Sequence, residues 1–207
     1  MAVRVAINGF GRIGRNTLRA IFESGRTDVE IVAINDSGSI ETNAHLLRYD
    51  SIHGRFPGEV KTNAKGINPG RGIIPVFSDR NPANLPWREL DVDIVMECTG
   101  AFTERDQASI HLDSGAKRVL ISAPGKNADK TIVYGVNHRE ITKRDLIISA
   151  ASCTTNCLAP VAYVLQNAIG IKHGFMTTVH AYTSDQNLLD NSHSDMRRSR
   201  AAAMNMI

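Results

Sequence analysis

Short apolar runs alternate with helical spacings along the first part of the chain. The run VRVAING stops at a glycine and is typical of a buried strand. Apolar residues between Ile13 and Phe22 then recur at helical spacing, and Gly25 suits the end of that helix. Because a second apolar run, VEIVAIND, follows, we predict a βαβ unit with two parallel strands.

Further apolar runs predict more strands of the same sheet. They are DVDIVMECTG, KRVLISAP, TIVYGVN and DLIISAAS. The segments ETNAHLLRYDS and TERDQASIHLDSGA predict helices, the second capped by Thr103. Residues 52–88 are rich in Gly, Pro and Asn and predict antiparallel ribbons and loops. At least five strands separated by helices are typical of an α/β fold with a doubly wound (Rossmann) parallel sheet.

The pattern changes after Ser152. A helix is predicted over residues 154–166, and it leads into GFMTTVHAYT, whose alternation is typical of a strand. A polar stretch follows, and then the apolar, helix-like run RAAAMNMI. We therefore predict a dinucleotide-binding domain over residues 1–150 and the first part of an α+β catalytic domain over residues 151–207. So short a second domain is too small to bury its own core, and we expect the chain to be a fragment of a longer protein.

Composition and charge restrict the class of protein. Of the 207 residues, 42% are hydrophobic and 22% are charged, a balance typical of a folded soluble protein. A formal net charge of +3 is too small to predict nucleic-acid binding. No apolar run approaches the roughly 20 residues of a membrane span, and the N-terminus is not typical of a signal peptide. Three cysteines are too few for a disulfide framework, so we expect a reducing, cytoplasmic location.

The first strand and the first helix are joined by GFGRIG, which places Gly9, Gly11 and Gly14 at the spacing of a dinucleotide-binding loop. The glycines permit a tight turn and a close approach of the backbone to a pyrophosphate. Asp36 ends the second strand, and its carboxylate could accept hydrogen bonds from a ribose. The alternative is a glycine-rich turn with Asp36 as a helix cap. The carboxylate favours NAD, while the small residues Ser37–Gly38 leave NADP open.

The segment SCTTNC contains two cysteines with three alternative roles: half of a metal site, buried packing residues, or a nucleophile and its neighbour. A zinc site is disfavoured because only Cys98 could join Cys153 and Cys157 as a thiolate ligand. Cys157 and Cys98 lie in apolar runs and are predicted to be buried. Cys153 lies at the predicted start of a helix, where the dipole and free N–H groups stabilise a thiolate. His180, at the end of a predicted strand, is the candidate base, and the other histidines are more typical of surface groups.

Three motifs together identify a resemblance. INGFGRIGR, SCTTNCLAP and TTVHAYT occur in this order, and the chain resembles phosphorylating glyceraldehyde-3-phosphate dehydrogenases over essentially all of its residues. SCTTNC is the most specific of these motifs. The chains of that family are longer, which supports the expectation of a fragment, and a polypeptide that ends at Ile207 is expected to be inactive.

The resemblance implies a mechanism and a set of site residues. Cys153 would be the nucleophile and His180 the base in the oxidation of glyceraldehyde 3-phosphate to 1,3-bisphosphoglycerate, a step of glycolysis, gluconeogenesis or carbon fixation. Inorganic phosphate would meet Ser152 and Thr154, and the phosphate of the substrate would lie near Thr183 and Asp185. The positions implied to contact the cofactor, NAD or NADP, are Asn8, Gly9, Gly11, Arg12, Ile13, Gly14, Asp36, Arg80, Thr99, Phe102 and Ser122.

The resemblance also bears on assembly and on alternatives. It implies a cytoplasmic homotetramer in which the arginines of MRRSR form salt bridges at a subunit interface rather than a nucleic-acid patch. Asn191–Ser192 stands where NAD-restricted relatives carry Leu-Pro, which implies use of both cofactors. Ala150 stands where the family usually has Asn, a change expected to spare the chemistry. The alternatives are an erythrose-4-phosphate dehydrogenase and a nucleotide-binding protein without catalysis.

Overall fold

The computed structural model describes residues 2–205, and the chain divides after Ala168 into two units. The first unit contains all the strands and helices found in the described residues. In the second unit, the described residues 169–205 form loops and turns. The domain boundary near residue 150 stays a prediction.

The described residues of the first unit form eleven short strands, five α-helices and two 3₁₀-helices, Pro82–Asn84 and His138–Glu140. The strands are β1 (Val3–Asn8), β2 (Val29–Asn35), β3 (Tyr49–Asp50), β4 (Gly54–Arg55), β5 (Lys61–Asn63), β6 (Gly66–Asn68), β7 (Ile74–Phe77), β8 (Ile94–Glu97), β9 (Arg118–Ile121), β10 (Lys130–Thr131) and β11 (Ile147–Ser149). The helices are α1 (Arg12–Glu23), α2 (Ile40–Arg48), α3 (Arg105–Ala108), α4 (Ile110–Asp113) and α5 (Cys153–Ala168).

Nine of the strands form one sheet in the order β10-β11-β9-β8-β1-β2-β7-β6-β5. Its pairs from β10 across to β7 are parallel, whereas β6 pairs antiparallel with both β7 and β5. The order of strands reverses at β1, which lies between β2 and β8. In sheets of this kind ligands bind beyond the carboxyl ends of the strands at that reversal. The predicted α/β fold with a doubly wound parallel sheet is therefore confirmed.

The core lies on both faces of this sheet. Successive residues of a strand point to opposite faces. Accordingly, Ala6 packs in one apolar cluster around Trp87, while Ile7 packs in another that includes Leu18 of α1. Burial on both faces explains why the strands read as continuous apolar runs rather than as alternating ones.

Two predictions in the first unit were wrong. The helix expected from Thr103 is broken into α3 and α4, and its cap position is Glu104. Thr103 stays extended because its carbonyl accepts the N–H of Lys126 at 2.9 Å. The strand expected over TIVYGVN is only β10, because the side chain of Asn137 donates to the Thr131 carbonyl at 3.1 Å and turns the chain.

Predictions beyond residue 150 had mixed outcomes. The helix over residues 154–166 is confirmed as α5, but none of its residues is buried, so the predicted burial of Cys157 was wrong. GFMTTVHAYT forms no strand, because it pairs with no other segment among residues 2–205. The run RAAAMNMI forms turns up to Asn205, and its last two positions lie outside the described residues. No helix within residues 2–205 is both long enough and apolar enough to cross a bilayer.

Replacement of Leu18 by Ala tests the packing of α1 on the sheet. Leu18 is fully buried, so Leu18→Ala is expected to lower the free energy of unfolding by about 2–5 kcal/mol through lost burial and a cavity. Ile52 is 77% exposed, and Ile52→Ala is the control, expected to change that free energy by less than about 0.5 kcal/mol. Equal effects of the two variants in urea unfolding would contradict the packing described here.

Candidate functional site

The loop between β1 and α1 is shaped by contacts that admit only glycine at two positions. A Cβ atom on Gly9 would lie 2.7 Å from the backbone N of Thr99, and the φ of Gly9 is +92°. A Cβ on Gly14 would lie 2.8 Å from Cγ2 of Ile7 and would also collide with the carbonyl of Gly9. At Gly11 a Cβ would meet no atom within 4 Å. Packing therefore requires glycine at positions 9 and 14, while position 11 leaves the backbone open to a ligand, as a dinucleotide pyrophosphate requires.

Asp36 lies at the end of β2 and holds this loop. Its Oδ2 accepts the backbone N–H of Phe10 at 2.8 Å, and its Oδ1 accepts that of Gly38 at 2.8 Å. The cap of α2 is instead Ser39, whose Oγ accepts the N–H of Thr42 at 3.1 Å. The half-buried Asp36 carboxylate thus lies beside the glycine loop, where the sequence predicted an acid.

Arg12 is the first residue of α1, and a residue outside the glycine loop binds its side chain. Its guanidinium pairs with Oδ2 of Asp50 at 2.5 Å. The other Asp50 oxygen accepts the backbone N–H groups of Ile52 and His53, each at 2.9 Å. The His53 N–H and the Arg12 guanidinium hold the pKa of Asp50 well below its usual range. A fixed cation at a helix N-terminus favours the binding of an anion such as a phosphate.

The remaining predicted cofactor residues follow strands of the parallel sheet. Thr99 follows β8 and is exposed, Ser122 follows β9, and Arg80 follows β7 and is exposed. The carboxyl ends of parallel strands meet at one edge, so these residues lie at the same edge as the glycine loop. Phe102 is half-buried, and Ile13 is 49% exposed on the first turn of α1.

Sequence reasoning missed two residues beneath this edge. His111 was predicted to be a surface group, but it is completely buried, as is Glu97 at the end of β8. The prediction was wrong because α4 turns His111 inward, where its ring forms a hydrogen bond with the Glu97 carboxylate at 3.0 Å. The available signal was the glutamate itself, a carboxylate that directly follows the apolar residues IVM within the run DVDIVMECTG.

Cys153 is the first residue of α5 and is exposed. The preceding turn is held by Ser152, whose Oγ accepts the N–H of Thr155 at 3.0 Å, and by Asn156, which donates to the Ala150 carbonyl at 2.7 Å. Ala151 is buried with a φ of +59°, a left-handed conformation that costs a non-glycine residue free energy. The thiol of Cys153 is thus presented at the N-terminus of a long helix, open to a reactant.

In the second unit, His180 is exposed and borders a cavity of about 420 Å³ that is also lined by Tyr182 and three arginines. Asp185 accepts from His193 at 3.3 Å and from Arg198, and these two donors lower the pKa of its carboxyl. Thr183 donates its N–H to the Gln186 side chain at 2.6 Å. Thr183 and Asp185 therefore belong to one loop network.

Each arginine of MRRSR has an acidic partner within this unit. The pairs are Arg197 with Asp195 at 3.5 Å, Arg198 with Asp185, and Arg200 with Asp190 at 2.7 Å. The loop salt bridges predicted for this segment are thus present, while its place at a subunit interface stays a prediction. Among residues 2–205, no three His, Cys, Asp or Glu side chains are grouped so that they could hold a metal ion.

Comparison with known proteins identifies one family on both sides of the predicted boundary. Residues 3–105 match the family model described as "Glyceraldehyde 3-phosphate dehydrogenase, NAD binding domain", and residues 152–207 match the corresponding C-terminal domain. Curated relatives named glyceraldehyde-3-phosphate dehydrogenase include proteins of Xanthobacter flavus, 67% identical, and Cereibacter sphaeroides, 64% identical, both over all 207 residues. The chain spans 62% of the length of each of these relatives.

Alkylation rates of the three cysteines test the surroundings of each thiol. Burial raises the pKa of the half-buried Cys98 thiol to about 11, although a hydrogen bond with Ser122 opposes this. Cys153 and Cys157 are exposed. Near pH 8, iodoacetamide should modify Cys98 at least about tenfold more slowly than Cys153, because only the thiolate reacts. Peptide mass spectrometry over time measures the three rates, and modification of Cys98 first would contradict the structure.

Proposed function

The chain belongs to the glyceraldehyde-3-phosphate dehydrogenase family, and from this premise we propose that the protein oxidises glyceraldehyde 3-phosphate to 1,3-bisphosphoglycerate. The observation that carries the proposal is the pairing of two features in one chain. A glycine loop lies at the carboxyl edge of a doubly wound sheet, and an exposed thiol opens α5 after a strained turn. The family models cover both features.

In the nucleotide-binding part, NAD would be held by backbone and side chains of the first unit. The open backbone at Gly11 and the N-terminus of α1 would receive the pyrophosphate, with Arg12 beside it. Asp36 and Thr99, which follow the two strands on either side of β1, would face the rest of the dinucleotide. Bound NAD supplies a hydride acceptor to the reaction.

In the catalytic part, the Cys153 thiolate would attack the aldehyde carbon and form a hemithioacetal. His180 would remove the proton from the hemithioacetal hydroxyl as the carbon is oxidised to a thioester. Inorganic phosphate, near Ser152 and Thr154, would then attack the thioester carbonyl and release the Cys153 thiolate, giving the acyl phosphate. Thr183 and Asp185 would position the phosphate of the substrate.

The proposal extends to the second cofactor, to assembly and to location. Asp36 disfavours an added 2′-phosphate, but the exposed Ser37 next to it leaves room, so the protein would use NADP as well as NAD. The exposed apolar residues of α5 and the paired arginines of the second unit are compatible with a homotetramer. The cytoplasm is the proposed location, in keeping with three cysteines that form no disulfide.

Substitution of Gly11 tests the dinucleotide site without unfolding the chain. Gly11→Ala should fold as the wild type does, since its Cβ meets nothing within 4 Å and the φ of −70° suits alanine. The methyl group would nevertheless cover the backbone that faces the pyrophosphate, and affinity for NAD should fall by about tenfold or more. Gly174→Ala, which also meets no atom within 4 Å, is the control. Wild-type NAD affinity of Gly11→Ala in isothermal calorimetry would count against the site.

Substitution of Cys153 in the whole protein tests the chemistry. Cys153→Ser should reduce aldehyde- and phosphate-dependent formation of NADH by about a thousandfold or more, because a hydroxyl is a far weaker nucleophile than a thiolate. NAD binding should persist, and the exposed Cys157, changed to Ser, is the matched control. Retention of turnover by Cys153→Ser would refute the assignment. The same assay with NADP tests dual use, which a preference for NAD beyond about a thousandfold would exclude.

A further inference from the structure

A buried row of three polar side chains runs beneath the glycine loop. Trp87, His111 and Glu97 are each less than 2% exposed. Nε1 of Trp87 donates to Nδ1 of His111 at 3.1 Å, and Nε2 of His111 lies 3.0 Å from Oε2 of Glu97. Burial of a polar group costs free energy unless the group has a hydrogen-bond partner. Each of these three side chains has such a partner within the row, so the fold holds them in one defined arrangement.

The tryptophan fixes the tautomer of the histidine. An indole N–H can only donate, so Nδ1 of His111 has to be the acceptor. The proton of the neutral ring therefore lies on Nε2 and points at the Glu97 carboxylate. In this arrangement Trp87 orients a donor toward Glu97 through His111, much as a second partner fixes the ring of a metal-bound or catalytic histidine.

The Glu97 carboxylate collects four hydrogen bonds. Its Oε2 accepts from His111 and from Nδ2 of Asn8, the latter at 2.6 Å. Its Oε1 accepts the backbone N–H of Thr99 at 2.7 Å and the Thr99 hydroxyl. Four donors spread over both oxygens leave neither oxygen of this buried carboxylate without a partner.

These four bonds join the parts that meet at the glycine loop. Asn8 is the last residue of β1 and directly precedes Gly9, while Thr99 follows the end of β8. The space for a Cβ on Gly9 is closed by the backbone N of Thr99, the same N–H that Glu97 binds. The ring of Phe102 also lies edge-on to His111, with the centroids 6.1 Å apart. Three of the proposed cofactor residues, Asn8, Thr99 and Phe102, therefore contact Glu97 or His111.

We propose that Trp87, His111 and Glu97 form a positioning network that fixes the ends of β1 and β8 in the geometry that binds the dinucleotide. The network rests on the proposed NAD-binding function and assigns positioning roles, not chemical ones, to residues below the surface. Glu97 anchors Asn8 and Thr99, His111 supplies one of the donors to Glu97, and Trp87 keeps the donor on the correct nitrogen. Loss of any one member should therefore lower the affinity for NAD by more than the accompanying loss of stability accounts for.

Two variants break the network at different points. Glu97→Gln replaces one carboxylate oxygen with an NH₂ group. Because an NH₂ group cannot accept a hydrogen bond, the side chain can no longer accept from all four donors. This variant should weaken NAD binding by about tenfold or more. Trp87→Phe keeps an aromatic ring in the core but removes the N–H, and should weaken NAD binding by about threefold or more. Because Trp87→Phe keeps the Glu97 carboxylate and its bonds to Asn8 and Thr99, and changes only the tautomer of His111, it tests the network even if Glu97→Gln fails to fold.

The matched control is a second buried carboxylate that also binds a threonine. Oδ2 of Asp145 accepts the backbone N–H of Thr142 at 2.6 Å and its hydroxyl at 3.0 Å, but it precedes β11 and so lies at the opposite edge of the sheet. Asp145→Asn should destabilise the chain to a similar extent and leave NAD affinity within about twofold of the wild type. Thermal unfolding and isothermal calorimetry on the same samples separate stability from affinity.

A spectroscopic readout tests the tautomer independently of the cofactor. In a chain labelled with ¹⁵N-histidine, His111 should show a protonated Nε2 and an unprotonated Nδ1, with the signals assigned by their loss in His111→Gln. In Trp87→Phe the Nδ1-protonated form should become detectable. A protonated Nδ1 in the wild type would overturn the network.

The affinities separate this inference from the proposed function. Wild-type binding of NAD together with weakened binding by Glu97→Gln and Trp87→Phe would support the network. Wild-type binding with equal affinity in a folded Trp87→Phe and a folded Glu97→Gln would overturn the network and leave the proposed function intact. No binding of NAD by the wild type would overturn the proposed function and, with it, the cofactor role of the network.

Discussion

The close approach of β1 to the segment after β8 is the constraint on which the rest of the first unit depends. Gly9 can turn the chain only because no side chain stands between it and the backbone of Thr99. Gly14 fits the first turn of α1 only because it has no side chain and packs directly on Ile7 and on the Gly9 carbonyl. These contacts bring the N-terminus of α1 to the carboxyl edge of the sheet, where an anionic ligand gains most from the helix dipole.

Three carboxylates hold this edge in a common way. Asp36, Asp50 and Glu97 each accept at least one backbone N–H from the loop they support. Each has a further partner that differs: Asn43 for Asp36, the guanidinium of Arg12 for Asp50, and the His111 ring for Glu97. The edge that would receive a dinucleotide is therefore organised before any ligand binds, and preorganisation of this kind reduces the cost of binding.

Local patterns predicted the parts of this structure that local chemistry determines. The βαβ unit and the glycine loop follow from apolar spacing and glycine positions within a few residues, and α5 is held at its start by the local bond of Ser152 with Thr155. The errors arose where a distant partner decides the outcome. Lys126 keeps Thr103 extended. Hydrogen bonds with Trp87 and Glu97 hold His111 in the core. GFMTTVHAYT has no neighbouring strand within residues 2–205. The roles of the site residues rest on the family resemblance, since geometry within each unit places them without assigning their chemistry.

The proposed function requires that the backbone of the glycine loop and the segment after β8 form one dinucleotide-binding surface. Amide hydrogen exchange with and without saturating NAD tests this most directly, because it reads the backbone itself. On addition of NAD we expect slower exchange over residues 9–14 and 98–102 together, with no comparable change over residues 142–147 at the opposite edge. Unchanged exchange in the glycine loop, or protection confined to other segments, would contradict it.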